Sequence, residues 1–343
     1  MAKIVSFQRR GEKLTRKIRF RLTRLTLMGS EEQKDLPFFG ATTTKHTDAN
    51  LSVVGIPWDV SSSYQRGSAS APQYIRKVTS AQLYNPYTED LVNLKDKWRI
   101  FDWGDIEAPD DVQETENYQL KIQATLKSIL HDVPVTNFLF LGGDHLSTYF
   151  SLSSLCELGF FREVGNVGLI YLDAHPDLYL EYESNPFSHA CVARRIIEEI
   201  EIDPKNIVQV GIRATTPSQV DFAKKTGITT ISVREFQQLG ADAVAKMVTS
   251  LLSKTVDAVY LSIDLDVLDP SCAPGVPNPE AGGLLTRDVV TFIQSLSQTS
   301  IRAFDIVEFL PEMDVTRITG YAAAKIIRET LGVMKPFSNV SGV

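Results

Sequence analysis

A doubly wound α/β domain, with about eight mostly parallel strands and helices on both faces, is the fold this sequence predicts. Beyond residue 50, strand-like and helix-like stretches alternate, the signature of successive βαβ units. Most of the strand-like stretches are almost continuously apolar, as strands buried on both faces of a parallel sheet are. Three of them, Asn137 to His145, Val167 to Asp177 and Ala258 to Asp266, begin apolar and end in Asp or His. Chemistry in open α/β sheets collects where parallel strands end.

Strands are expected at Leu51 to Ile56, Trp98 to Phe101, Asn137 to Leu141, Val167 to Leu172, Ile207 to Ile212, Ile228 to Val233, Ala258 to Ile263 and Arg302 to Val307. Between them, Tyr118 to His131 sets Leu120, Ala124 and Ile129 among polar residues, and Cys191 to Glu201 ends in an acidic face. Ser218 to Lys225, Val233 to Leu239, Ala241 to Lys254 and Thr286 to Gln298 also read as helices. Tyr321 to Leu331, rich in Ala and Ile, is the last. No repeat, low-complexity tract or linker breaks the series, so residues 43–343 are expected to form one domain.

Residues 1–42 read as a separate extension. Its first 24 residues hold nine Lys or Arg against one Glu, which leaves the rest of this chain of net charge −7 strongly acidic. Leu14, Ile18, Leu22 and Leu25 have helical spacing, while Ile18, Phe20 and Leu22 also alternate as a strand would, so periodicity does not decide. A basic, acid-poor start suits an organelle transit peptide, an arm for RNA or a membrane surface, a subunit-contact arm or a frayed extension. Met28 is an alternative start.

The 343 residues, 43% of them hydrophobic, suffice for a large core. The acidic balance argues against nucleic acid as a partner of the main domain. No apolar run is long enough to span a bilayer, and no signal peptide is evident. Three cysteines without a C-x-x-C pair point to a reducing, cytoplasmic setting.

Asp173, His175 and Asp177 lie two apart, as do Asp264 and Asp266. On an extended chain such residues share a face. The Gly142-Gly143 pair would let the backbone turn sharply and bring His145 beside them. Four carboxylates on apolar strands, with no Lys or Arg in the motifs, repel one another and are costly to desolvate. A divalent cation is the simplest neutraliser. Three of the five histidines (His145, His175, His189) lie in or next to these motifs. Four Asp and two His without Cys favour Mn, with Zn, Co, Ni or Fe behind it. Six ligands exceed the three of a catalytic zinc, so two ions with bridging carboxylates fit better.

Gly142-Gly-Asp-His145, Asp173-Ala-His-Pro-Asp177, Ser262-Ile-Asp-Leu-Asp-Val-Leu-Asp-Pro270 and Asp305-Ile-Val-Glu308 resemble the four signature blocks of the ureohydrolase family. That family comprises arginases, agmatinases, guanidinobutyrases and formimidoylglutamases. The similarity runs over roughly residues 50 to 335, with Ser63 to Arg76 and Asp102 to Ile106 resembling its early loop and second strand end. The resemblance implies an arginase-like three-layer α/β/α fold, two Mn2+ per subunit with Ni, Co or Zn as substitutes, and a trimer or hexamer. It also implies hydrolysis of a small-molecule guanidino substrate by a metal-bridging hydroxide. By resemblance, Asp173 and Asp264 bridge the ions, His145 and Asp177 complete one, and His175 and Asp266 complete the other. Asp177 would also orient the hydroxide and handle its proton. Glu308 would grip the guanidinium, and His189 would pass a proton to the leaving amine.

In arginases an Asn two positions past the last Asp of the second block helps hold the amino-acid headgroup; here that position is Tyr179. Ser188 to Arg195 and Ala273 to Glu280 are more similar to archaeal and bacterial agmatinases. Agmatine carries a second amine, to which Glu181 or Glu183 offers a carboxylate. Agmatine hydrolysis to putrescine and urea, a step of polyamine biosynthesis, is therefore the leading expectation. Another guanidino hydrolase, acting on guanidinobutyrate, arginine or guanidine, is the nearest alternative. A mononuclear metal amidohydrolase and a non-catalytic homologue stand behind it. Pro277, where many relatives have Gly, and Ala71-Pro72, where Gly-Pro is commoner, depart from the pattern near the substrate's far end.

Overall fold

The computed structural model describes residues 37–162 and 165–337. The basic first 24 residues and Met28 lie outside them. In chain order the elements are β1 (Leu51–Ile56), α1 (Ala71–Val78), α2 (Leu94–Lys97), β2 (Ile100–Asp105), α3 (Thr115–Asp132), β3 (Asn137–Gly142), α4 (Leu146–Glu157) and β4 (Val167–Leu172). They continue with α5 (Val192–Glu199), β5 (Ile207–Ile212), α6 (Pro217–Thr226), β6 (Thr229–Ser232), α7 (Val233–Leu239), α8 (Ala241–Leu252), β7 (Ala258–Asp264), α9 (Thr286–Ser295), β8 (Ile301–Val307) and α10 (Ile318–Val333).

The eight strands form one sheet in the order β2-β1-β3-β8-β7-β4-β5-β6, and every pairing is parallel. Successive strand residues feed opposite layers. In β3, Leu139 and Leu141 pack with α1, α7, α8, α9 and α10 on one face. Phe138 and Phe140 pack with α3, α4, α5 and α6 on the other. The result is the α/β/α sandwich expected, and both faces of the central strands are dry.

Three local expectations are corrected. The second strand starts at Ile100, not Trp98. Trp98 is instead buried at the end of α2, its indole N–H donating to the Leu331 carbonyl at 2.9 Å. Helices α1, α2 and α4 were not anticipated. In α4, ten consecutive residues from Leu146 to Leu155 are buried, Ser147, Thr148, Ser151 and Ser154 among them, so the helix has no charged, solvated face to set off its apolar one. Packing also begins before residue 43, because Phe38 and Phe39 are fully buried in the core. No helix among the described residues is long and apolar enough to cross a membrane.

Candidate metal centre

The four central strands, β3, β8, β7 and β4, are neighbours in the sheet and bring their candidate residues to one edge. His145 follows β3 at the start of α4, Glu308 follows β8, and Asp264 ends β7. Asp266 lies in the turn after β7, and Asp173, His175 and Asp177 lie in the loop after β4. His189 comes from the loop before α5. The Gly-Gly turn that places His145 depends on close backbone approach. A Cβ on Gly143 would lie 2.0 Å from the Trp58 carbonyl oxygen, so only glycine fits there.

Strand alternation is not what clusters the acids, since β4 has ended before Asp173. Side-chain-to-backbone turns do it instead. The His175 N–H donates to Asp173 Oδ1 at 2.6 Å, and the Asp266 N–H donates to Asp264 Oδ1 at 2.7 Å. The Ala174 N–H donates to Asp266 Oδ1 at 3.0 Å, tying the two loops together. With the outer oxygens occupied, the remaining donors converge. His145 Nδ1 lies 3.0 Å from Asp173 Oδ2, 3.0 Å from Asp264 Oδ2 and 3.4 Å from Asp177 Oδ2. His175 Nδ1 lies 2.9 Å from Asp266 Oδ2 and 3.5 Å from Asp173 Oδ1. Two ligand-like groups result, His145-Asp173-Asp177 and Asp173-His175-Asp266, with Asp173 common to both.

The hydrogen bonds fix which nitrogen of His145 faces this cluster. Ser262 and Thr148 both donate to Asp305, at 2.9 and 2.7 Å, so the Ser262 oxygen is left to accept from His145 Nε2 at 3.0 Å. Tyr171 gives its phenolic proton to Asp177 Oδ2 at 2.7 Å. Nδ1 then presents a bare lone pair to three carboxylate oxygens, and Asp173 Oδ2 is buried without a hydrogen-bond partner. Lone pairs arranged in this way repel unless a cation lies among them. The donor set of four carboxylates and two imidazoles suits two hard or borderline divalent ions such as manganese.

Without a cation, protons take its place. Burial and the neighbouring Asp173 raise Asp177 to about 8, although the nearby histidines oppose this. Burial, Asp266 and Asp173 raise Asp264 well above the usual carboxylate range. Burial pushes His145 and His175 down, but the surrounding carboxylates more than offset this and both are raised. Asp266 is also buried, yet His175 holds it below its ordinary value.

Beside the cluster, the His145 N–H donates to Glu308 Oε1 at 2.8 Å, and His189 Nδ1 lies 2.8 Å from the same oxygen. Glu308 Oε2 is buried and has no hydrogen-bond partner. Burial disfavours the charged His189 ring, but Glu308, with Asp144 and Asp177, more than offsets this and lifts it to about 9. Opposing that charge, the Ser63 N–H points at Nε2 from 3.1 Å and requires a lone pair there. Asp177 and Glu308 both have left-handed backbone, with φ of 49° and 57°. A non-glycine residue pays roughly 1–2 kcal/mol for that conformation.

A cavity of about 800 Å³ opens over the cluster, within the size range of small-molecule sites. His175, Asp177, His189, Asp264, Asp266 and Glu308 line its floor, and Tyr179, Tyr182, Glu183 and Glu280 are also in its wall. Glu181 is exposed and does not line it. Among the described residues, no Lys or Arg lines it. Sequence reasoning missed the groups that hold this site in place. Buried Gln209 donates to the Pro176 carbonyl at 2.7 Å, and Gln219 accepts from the Leu178 N–H at 3.0 Å. Buried Asp144 accepts from Ser61 and Ser62 at 2.7 and 3.2 Å. Isolated glutamines and serines carry no sequence signal; only Asp144, inside a signature block, had one.

Comparison with known proteins shows the family. Residues 49–332 match the arginase family. The chain is 37% identical over 291 residues to a mitochondrial arginase of Medicago truncatula, covering 83% of this chain and 82% of that one. It is 30% identical over 297 residues to an agmatinase of Bacillus subtilis, covering 85% and 94%. The solved structure of a proclavaminate amidino hydrolase from Streptomyces clavuligerus superposes with a TM-score of 0.75 at 29% identity, covering 87% of this chain and 94% of that one.

Proposed function

The chain belongs to the arginase family of guanidino hydrolases, and on that premise we propose that it hydrolyses agmatine to putrescine and urea. The observation that carries the reading is Glu308 Oε2, a buried carboxylate oxygen without a partner, on a residue lining the cavity beside the metal-type cluster. A planar guanidinium offers N–H donors that satisfy such an oxygen. Held there, the guanidinium carbon is set over the cluster, and positioning of this kind supplies much of the catalytic gain.

His145, Asp173, His175, Asp177, Asp264 and Asp266 would hold two divalent cations, with Mn2+ favoured by the donor set. Bound there, such ions supply a water of lowered pKa as the nucleophile. Asp177, which accepts from Tyr171, is placed to take a proton from that water. His189, 2.8 Å from Glu308 Oε1, is placed to return one to the leaving amine.

The choice of agmatine rests on charge. An arginine carboxylate would enter a cavity lined by Glu183 and Glu280, with no Lys or Arg among the described residues to receive it. The primary ammonium of agmatine meets the same two acids and the rings of Tyr179 and Tyr182, whose centroids lie 5.4 Å apart. Such faces attract cations. Glu183 is therefore the preferred partner for the far amine over Glu181. Arginine is the second reading, favoured by the plant arginases among the relatives. A cytoplasmic setting accompanies the proposal, supported by three free cysteines.

The test is urea release by Mn-loaded protein from agmatine, arginine, guanidinobutyrate, guanidinopropionate, formimidoylglutamate and guanidine. Agmatine is expected to give the highest kcat/KM. A higher value for arginine would replace the substrate, and no urea from any of them would end the hydrolase reading.

A further inference from the structure

We propose that Ser63 is a positioning residue of this site, which holds the neutral form of His189 with its single proton on Nδ1 and thereby prepares Glu308 for substrate. The inference rests on the roles proposed above for His189 and Glu308, but its central statement concerns the resting protein and is tested without turnover.

The argument starts from a backbone amide, which donates and never accepts. The Ser63 N–H points at His189 Nε2 from 3.1 Å, so Nε2 meets it with a lone pair. The neutral ring then carries its proton on Nδ1, facing Glu308 Oε1 at 2.8 Å. The other tautomer would oppose N–H to N–H at Ser63 and a lone pair to the carboxylate at Glu308, two repulsive contacts in a buried site. Glu308 Oε1 also accepts the His145 N–H at 2.8 Å. Two donors therefore saturate one carboxylate oxygen and leave Oε2, which has no partner, for a ligand.

The Ser63 hydroxyl adds a second function. It lies 2.8 Å from the same Nε2, and a hydroxyl both donates and accepts. The amide suits only the neutral ring. The hydroxyl keeps Nε2 partnered when the ring takes a second proton, as a residue that cycles protons must. The segment is not a loose loop. Trp58 donates to Ser61 at 2.8 Å, Ser61 and Ser62 donate to buried Asp144, and the His189 N–H donates to the Ser61 carbonyl at 3.4 Å. Ser63 is thus tied through Asp144 to the turn that carries His145.

Ring-15N histidine labelling of the full chain loaded with zinc, which is diamagnetic, tests this directly. His189→Asn identifies the resonances. Read at a pH above about 9, where the ring is neutral, the expected result is a His189 ring protonated at Nδ1 and bare at Nε2. A neutral ring with its proton on Nε2 overturns the inference. In the Mn-loaded enzyme, Ser63→Ala keeps the amide and loses the hydroxyl. It is expected to lower kcat about tenfold, the weight of one hydrogen bond. KM should stay within about twofold and the His189 limb of the kcat-pH profile should move to lower pH, with Ser63→Thr restoring both. Wild-type kcat and an unshifted limb in Ser63→Ala overturn it. Failure of every guanidino compound to release urea would sink the proposed function, while the resonances would still decide the tautomer.

Discussion

Ser262 Oγ lies 3.0 Å from His145 Nε2 and donates its own hydrogen bond to Asp305 at 2.9 Å. Asp305 also accepts from Thr148 and Tyr260, each at 2.7 Å, so a fully buried carboxylate anchors a ligand-type histidine through one hydroxyl. Partners behind a metal-binding histidine fix its tautomer and raise its basicity. Ser262→Ala is expected to weaken metal binding about 10- to 100-fold, with a melting temperature in chelator close to wild type. Metal titration followed by calorimetry reads both, and unchanged affinity would remove the anchor role.

Asp266 receives the Ala174 N–H and faces His175 at 2.9 Å. Asp266→Ala removes one ligand and one carboxylate from a crowded acidic cluster. It should therefore lose metal and activity together while the metal-free fold stays intact, with a loss in stability under about 2 kcal/mol. Elemental analysis and circular dichroism check it. Full activity with normal metal content would overturn the ligand assignment.

Glu308 stands apart from that cluster, since neither ligand-type group includes it. Glu308→Gln keeps the shape and an oxygen for the His145 N–H but loses the charge that a guanidinium needs. Metal content should be unchanged while kcat/KM falls about 100-fold, the cost of roughly 3 kcal/mol for a charged hydrogen bond. Loss of metal in this variant would mean that Glu308 is a ligand, not a substrate anchor.

The layout of the sheet was legible in the sequence because its strands are long enough and apolar enough to register as runs. Val167–Leu172 and Ile207–Ile212 were placed to the residue. Helix α4 was not, because it is buried along most of its length and its polar positions are small uncharged Ser and Thr rather than a charged face. The acids at the strand ends were legible as a group, but for a reason that proved incomplete. Their i, i+2 spacing works here through backbone turns at Asp173 and Asp264 rather than through strand alternation. The choice between Glu181 and Glu183 was not legible at all. Glu183 lines the cavity and Glu181 does not, and neither residue type announces this.

The proton content of the cluster sets how the metal-free protein responds to pH. Asp177, raised to about 8, holds in the fold a proton that it releases on unfolding at any pH above the ordinary carboxylate range. Its contribution to stability is therefore greatest at low pH and is lost as pH rises toward 8. Asp264, also raised, has the same sign. His145, raised as well, contributes fully below about 6.5, the value for a free imidazole, and loses that contribution as pH climbs toward its folded value. Asp266, depressed by His175, is ionised in both states across this range and adds no slope. The folded metal-free protein should thus lose stability between about pH 6 and pH 8, by about 1 kcal/mol or more per pH unit. Manganese should reverse the trend, because the ligands that it needs are the deprotonated ones. Melting temperatures in chelator and in Mn2+ at three pH values test this, with Asp177→Asn expected to flatten the metal-free slope. A metal-free protein whose melting temperature rises from pH 6 to pH 8 would show that protons do not occupy the cluster in place of cations.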